Sequence, residues 1–275
     1  MPPKPKLGII AGRGDLPDLI LDAARAEGRP VFVLALEGQT SEDLVRNVEH
    51  VWIPLGAVGR GLDALGGAGV RDVVFAGGVR RPSLLKLGLD GRAVRLMANV
   101  GKAALGDDKL LSVIIAEIES EGFSVVGADD ILHDLLVEEG VLGRLRPDEV
   151  ALSDIARGLE VAGALGAVDV GQAVVVQQGI VLGVEAIEGT DALIARSASV
   201  RREGPGGVLI KIKKPGQERR ADLPTIGLST VTAAAEAGLR GIAVEAGATL
   251  VIGRETLVAA ADAAGLFVTA IRVSP

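Results

Sequence analysis

Along the first half of the chain, short continuous apolar runs alternate with stretches of helical apolar spacing. Positions 6–11 (KLGIIA), 30–36 (PVFVLAL), 50–54 (HVWIP), 72–76 (DVVFA) and 123–126 (FSVV) read as strands. Positions 16–27, 58–65, 92–104 and 109–121 place apolar residues at helical intervals, and several of these stretches stop at glycine. Strands that alternate with helices predict βαβ units and a parallel sheet. Unbroken Val, Ile and Leu runs fit strands covered on both faces.

The pattern breaks at 137–149 (VEEGVLGRLRPDE), where Gly, Pro and charge accumulate. The sequence therefore divides into a Rossmann-like domain at 1–136, a linker at 137–149 and a second domain at 150–275. In that second domain a helix over 149–165 precedes two apolar runs, 173–177 and 180–185, with Gln178-Gly179 between them as a hairpin signal. Positions 207–213 (GVLIKIK) alternate with period two and predict a half-exposed strand. Helices at 189–197, 229–237 and 255–264, and strands at 241–244, 249–252 and 266–272, complete a mixed α/β domain.

Composition narrows the chemistry. Hydrophobic residues make up 48% of 275 positions, which suits a packed core. Four Phe, one Trp and no Tyr leave few rings for nucleobases to stack on, and the net charge of -7 disfavours a polyanion binder, so no nucleic-acid partner is expected. There is no cysteine and there are only two histidines, His50 and His133, both read as structural. Thiolate chemistry is excluded and a multi-histidine zinc site is not expected. No apolar run approaches the roughly 18 residues of a membrane span, and positions 1–6 carry no signal-peptide core. A cytoplasmic location is expected.

Five segments can carry function. Gly12-Arg13-Gly14, between the first strand and helix, resembles a phosphate-binding turn, but Pro17 stands where a dinucleotide fingerprint expects a small residue. Glu37 follows the second strand, where a ribose-binding acid would stand. Gly77-Gly78 with Arg80 and Arg81 lies at the carboxyl end of a strand. Asp107-Asp108 sits at a helix start, as a cap or an ion site. Glu185, Glu188, Thr190 and Asp191 concentrate oxygen ligands suited to Mg²⁺ or Mn²⁺. The segment 211–220 holds Lys211, Lys213, Lys214, Arg219 and Arg220, a candidate cradle for a diphosphate, or else solubilising charges on an edge strand. It leads to Asp222, a lone carboxylate in an apolar, proline-turned stretch.

These segments together resemble the LpxI family, the UDP-2,3-diacylglucosamine diphosphatases of lipid A synthesis in some Gram-negative bacteria. The resemblance runs over essentially the whole chain. It rests on Leu7-Gly8-Ile9-Ile10-Ala11-Gly12 with Leu16-Pro17, Phe75-Ala76-Gly77 with Arg81-Pro82, and Gly106-Asp107-Asp108. Further on it rests on Glu188-Gly189-Thr190-Asp191, Lys214-Pro215-Gly216-Gln217 and Asp222-Leu223-Pro224-Thr225-Ile226-Gly227. It implies metal-assisted hydrolysis of a UDP-linked diacylglucosamine to UMP and the 1-phosphate of the diacylated sugar. It implies that Asp222 is the essential carboxylate. The expected substrate contacts are Gly12, Arg13, Gly14, Gly77, Gly78, Arg81, Thr190, Lys211, Lys213, Lys214 and Thr225, and the expected metal ligands Asp222, Glu185, Glu188 and Asp191. Arg13 departs from a third glycine and makes its loop bulkier. A lipid substrate implies transient contact with the inner-membrane surface, and an apolar groove is expected along 83–97; a homodimer is left open. The competing readings are an NAD(P)-dependent oxidoreductase and a non-catalytic nucleotide- or lipid-binding module.

Overall fold

A computed structural model describes residues 4–80, 87–100 and 107–273. The chain forms two compact units: Met1–His133 with Glu218–Asp222, and Asp134–Gln217 with Leu223–Pro275.

The first unit runs β1 (Leu7–Ala11), α1 (Leu16–Ala26), β2 (Val31–Leu36), α2 (Glu42–Val45), β3 (His50–Ile53), α3 (Val58–Gly67), β4 (Asp72–Ala76), α4 (Gly91–Val100), α5 (Asp107–Ser120) and β5 (Ser124–Val126). Its strands pair in parallel in the order β3-β2-β1-β4-β5. This is the winding of a Rossmann half, with the topological switch between β1 and β4. Both sheet faces are covered, as the continuous apolar runs predict. On one face Phe32, Leu34, Leu36, Val73 and Val125 pack with Leu62 and Leu65 of α3 and Ile115 and Ile118 of α5. Helix α1 buries Leu16, Ile20, Leu21 and Ala24, and Pro17 lies in its first turn, where a missing N–H costs nothing.

The second unit runs β6 (Gly140–Val141), α6 (Glu149–Ala167), β7 (Ala173–Gln177), β8 (Ile180–Val184), α7 (Thr190–Ser197), β9 (Val208–Lys211), β10 (Thr225–Ile226), α8 (Leu228–Glu236), β11 (Gly241–Glu245), β12 (Leu250–Val251), α9 (Arg254–Ala264) and β13 (Phe267–Ile271). Six strands form one mixed sheet in the order β6-β13-β11-β9-β7-β8. Strands β9, β11 and β13 are parallel, while β6, β7 and β8 join antiparallel. Strands β10 and β12 pair separately. Side chains alternate across the large sheet: Val175, Leu209, Ile242 and Val268 enter one core with Leu193, Val231 and Leu257, and Val174, Ile210, Ala243 and Phe267 enter the other with Ile155 and Ala162 of α6. Gly158 lets α6 close on the sheet, since a Cβ there would stand 2.4 Å from Ile210. The expected hairpin is present, with Gln178 and Gly179 both at positive φ as a two-residue turn requires, and the Asp154 carboxylate accepts both of their N–H groups.

One expectation is corrected. The alternating segment 207–213 is not half-exposed: β9 lies inside the sheet, and all four of its residues, Lys211 included, are buried.

In the first unit, Asp90 accepts N–H groups from the starts of two helices. Its carboxylate takes Gly59 and Arg60 of α3 at 2.7 and 3.2 Å, and Arg92 and Ala93 of α4 at 3.1 and 2.9 Å. Burial pushes this carboxyl up, but the four donors outweigh it and hold it below the ordinary carboxylate range. Asp90→Ala is expected to lower unfolding free energy by about 1–2 kcal/mol, read from denaturant midpoints. Because the folded pKa is the lower one, the wild-type advantage is complete above the unfolded carboxylate pKa. It should disappear as pH falls through the folded value.

Candidate active site

At the carboxyl edge of the first sheet, the loops after β1 and β4 are bonded backbone to backbone. Gly12 N–H donates to Ala76 O at 2.7 Å and Arg13 N–H to Gly78 O at 2.8 Å, and Gly78 N–H returns to Arg13 O at 3.1 Å. Glycine is required by this approach. A Cβ on Gly12 would lie 2.5 Å from Gly78 O, and one on Gly77, whose φ is +86°, would lie 2.3 Å from Arg13 O. Gly14 has φ +87° and Gly78 faces open space. Gln39, which the sequence reading did not single out, joins the loops after β1, β2 and β4. Its Oε1 accepts from Arg13 Nε and Arg80 N–H, and its Nε2 donates to Arg80 O. Arg13 Nη2 also reaches Gly38 O. A recess of about 280 Å³ opens here, lined in part by Arg13, Asp18, Gln39 and Ser41. Asp18, on its wall, is pushed up by burial and by its neighbours Asp22, Asp15 and Asp43. Arg81 and positions 83–86 of the expected lipid groove lie outside the described residues, as does Gly106. Of that groove, Leu89 and Val94 are exposed.

In the second unit, the acids after β8 are held by the protein. Glu185 is buried; its Oε2 accepts Gln172 N–H at 3.0 Å and its Oε1 accepts the Thr190 hydroxyl at 2.7 Å. Glu188 pairs with Arg196 at 2.8 Å, and its own backbone N–H together with Arg196 keeps its carboxyl below the ordinary range. Asp191 is exposed in the first turn of α7. Among the described residues no three of His, Cys, Asp and Glu gather as a metal site. One Glu185 oxygen holds the residue before β7 and the other the α7 entry, and Glu188 is paired with Arg196, so these three acids do not form a preformed metal centre.

The basic segment is largely matched. Lys211 Nζ donates to Thr225 O at 2.9 Å, which bonds two of the expected substrate contacts to each other. Lys214 pairs with Asp169 at 2.7 Å, and its backbone N–H goes to Gln217 Oε1. Lys213 gives its backbone N–H to Glu245, and among the described residues its half-buried ammonium has no carboxylate partner.

From Glu218 to Asp222 the chain belongs to the first unit. Ala221 and Asp222 return their N–H groups to Glu218 O at 3.2 and 3.0 Å. Arg219 pairs with Asp129, and Arg220 with Glu218 and Glu119. Asp222 itself is half-buried at the end of this turn. It is thus placed on the first unit, whereas Glu185, Glu188 and Asp191 are placed on the second.

Models of the LpxI N-terminal and C-terminal domains match residues 6–135 and 138–269. The chain belongs to the LpxI family. It is similar to the UDP-2,3-diacylglucosamine pyrophosphatase LpxI of Caulobacter vibrioides, with 41% identity over 273 residues and 97% of each chain covered. Among solved structures it shows a partial likeness to the biotin carboxylase subunit of pyruvate carboxylase, at 15% identity and a TM-score of 0.29. That match covers 62% of this chain and 35% of the other, and it is too slight to bear on function.

Within this LpxI-family chain, sequence reasoning passed over Gln39, Asp129 and Glu119. For Asp129 a signal existed, since Gly127-Ala128-Asp129-Asp130 follows β5 at the carboxyl edge of a parallel sheet, where ligand-directed side chains collect. The partners of the lysines separate their roles. Lys214→Ala strands Asp169 and should cost on the order of 1–3 kcal/mol of stability. Lys213→Ala should stay within about 0.5 kcal/mol of wild type in thermal unfolding while raising KM, lowering kcat, or both. Wild-type kinetics for Lys213→Ala would remove it from the diphosphate's contacts.

Proposed function

We propose that the protein hydrolyses UDP-2,3-diacylglucosamine at its diphosphate, giving UMP and 2,3-diacylglucosamine 1-phosphate in lipid A synthesis. The observation that carries this is the 41% identity, over 97% of both chains, with a relative named as a UDP-2,3-diacylglucosamine pyrophosphatase. The geometry supports hydrolysis over dinucleotide chemistry. The Gly12 and Arg13 N–H groups that a dinucleotide diphosphate would take at the β1–β4 switch point are committed to Ala76 and Gly78.

In the reaction one water adds across the P–O–P bridge. Its oxygen joins one phosphorus, the bridging oxygen leaves with the other, and a proton must be removed from the water. We assign that removal to Asp222. The sequence has no cysteine and reads His50 and His133 as structural, so a carboxylate is the suitable base, and this one is fixed at the end of a hydrogen-bonded turn. Lys213 is assigned to the substrate's phosphate charge. Mg²⁺ or Mn²⁺ would arrive on the diphosphate itself, held by substrate oxygens and at most one or two carboxylates, and would neutralise phosphate charge. The acyl chains of such a substrate favour transient contact with a lipid surface; no helix among the described residues is long and apolar enough to cross a membrane.

The test is UMP release from UDP-2,3-diacylglucosamine by purified protein. Asp222→Ala should lower kcat by a factor on the order of 10² or more while substrate binding persists. EDTA should abolish turnover and added Mg²⁺ restore it. Full activity after exhaustive chelation would remove the metal, and a near-native kcat for folded Asp222→Ala would remove the base.

A further inference from the structure

The segment 218–222 is too short to build a core of its own, so whatever fixes Asp222 must come from the surroundings of that segment. Three consecutive residues supply three anchors within the first unit. Arg219 directs Nε and Nη2 to Asp129 Oδ2 at 3.2 and 2.9 Å. Arg220 grips both Glu218 oxygens at 3.0 Å and reaches Glu119 Oε1 with Nη1 at 2.6 Å. Ala221 packs against the apolar cluster that holds Ile115 and Ile118 of α5. Each anchor comes from a different feature: the loop after β5, the polar side of α5, and the apolar face of α5.

Resting on the reading of Asp222 as the base, we infer that Asp129 and Glu119 are positioning residues, which through Arg219 and Arg220 fix the turn that ends in the Asp222 carboxylate. The Asp129 side chain is 11% exposed and its partner Arg219 52% exposed. Removing the carboxylate leaves a half-exposed, solvated guanidinium, so Asp129→Ala should cost little global stability. The pair does remove freedom from a five-residue segment one end of which carries the chemistry. Arg220 is forked between its own neighbour Glu218 and α5, so the turn is stiffened internally as well as anchored. Asp129 and Glu119 meet the segment through Arg219 and Arg220, which separates their effect from that of a substrate contact.

The experiment measures UMP release from UDP-2,3-diacylglucosamine, with melting temperatures in parallel. Asp129→Ala and Arg219→Gln should each lower kcat by roughly 10- to 100-fold, the scale of a small misplacement of a reacting group, with KM little changed; melting temperature should hold for Asp129→Ala and fall modestly for Arg219→Gln, which takes the guanidinium from a mostly buried carboxylate. Arg219→Lys, which keeps the charge, should recover part of the loss. In an Asp222→Ala background, Asp129→Ala should change the residual rate by less than about two-fold, because a residue that acts through Asp222 has nothing left to position. An independent, multiplicative loss in that background would overturn the inference. So would KM rising at constant kcat. Should Asp129→Ala not fold, Arg219→Gln decides alone, since its side chain lies on the exposed side of the pair. The two levels fail differently. A wild-type kcat for Asp222→Ala removes the reading underneath, and with it the inference. An inactive Asp222→Ala beside fully active Asp129→Ala and Arg219→Gln overturns the positioning only.

Discussion

The backbone contact between the loops after β1 and β4 sets what the first unit can do. A parallel sheet gathers its loops at the carboxyl edge, and the switch point between β1 and β4 is ordinarily where a ligand enters. Here that place is taken by the chain itself: Gly12, Arg13 and Gly78 spend their N–H groups on one another's loops. Two glycines are needed because the backbones approach too closely for any Cβ. With the N–H groups consumed, what remains at the edge is side-chain chemistry. Arg13 and Arg80 are steered by Gln39, and Asp129 takes Arg219. The glycines give the loops their closeness, and Gln39 ties the Arg13 side chain and the Arg80 backbone together.

Charge along the segment 211–220 follows a similar rule. Five basic residues in ten positions are conspicuous in a chain of net charge -7. Most have particular acceptors: the Thr225 carbonyl for Lys211, Asp169 for Lys214, and Asp129 and Glu119 for the two arginines. Burying such groups costs desolvation that their partners only partly offset, so they define geometry more than they add stability. Lys211 ties β9 to β10, and Lys214 ties the 214–217 turn to the loop before β7. That leaves Lys213 with its ammonium uncommitted among the described residues, which is what binding a mobile anion requires.

How much of this was legible follows the range of the interactions. Most helices and strands held by local pattern were read within a residue or two, the end of the helix read at 92–104 lying outside the described residues, and the Gln178-Gly179 hairpin followed from two apolar runs and the turn between them. Strand order was not legible, because register is set by pairing across the sheet. The two-residue strands β6 and β10 exist only through partners distant in sequence, whereas β12 falls within the strand read at 249–252. The segment 207–213 was misread as half-exposed because alternating lysine looks like a solvated face; Lys211 instead finds a carbonyl 14 positions away. The anchors of 218–222 lie 90 and 101 positions back along the chain, beyond any local signal.

This bears on what a motif means. The segments that mark this chain as an LpxI-family member include Gly12, Gly77, Glu185 with Thr190, and Lys214 with Gln217. Each has a structural use: loop approach, helix entry, or turn closure. Their spacing is demanding because backbone contacts at 2.7–3.0 Å tolerate few substitutes. A site can therefore be surrounded by highly specific sequence and still concentrate its chemistry in few groups. Asp222 differs in kind. Its turn is closed by backbone bonds to Glu218 and held by the ion pairs of Arg219 and Arg220, and it ends in the carboxylate proposed above as the base. For a base that must meet a water beside a diphosphate, position decides the rate before basicity does.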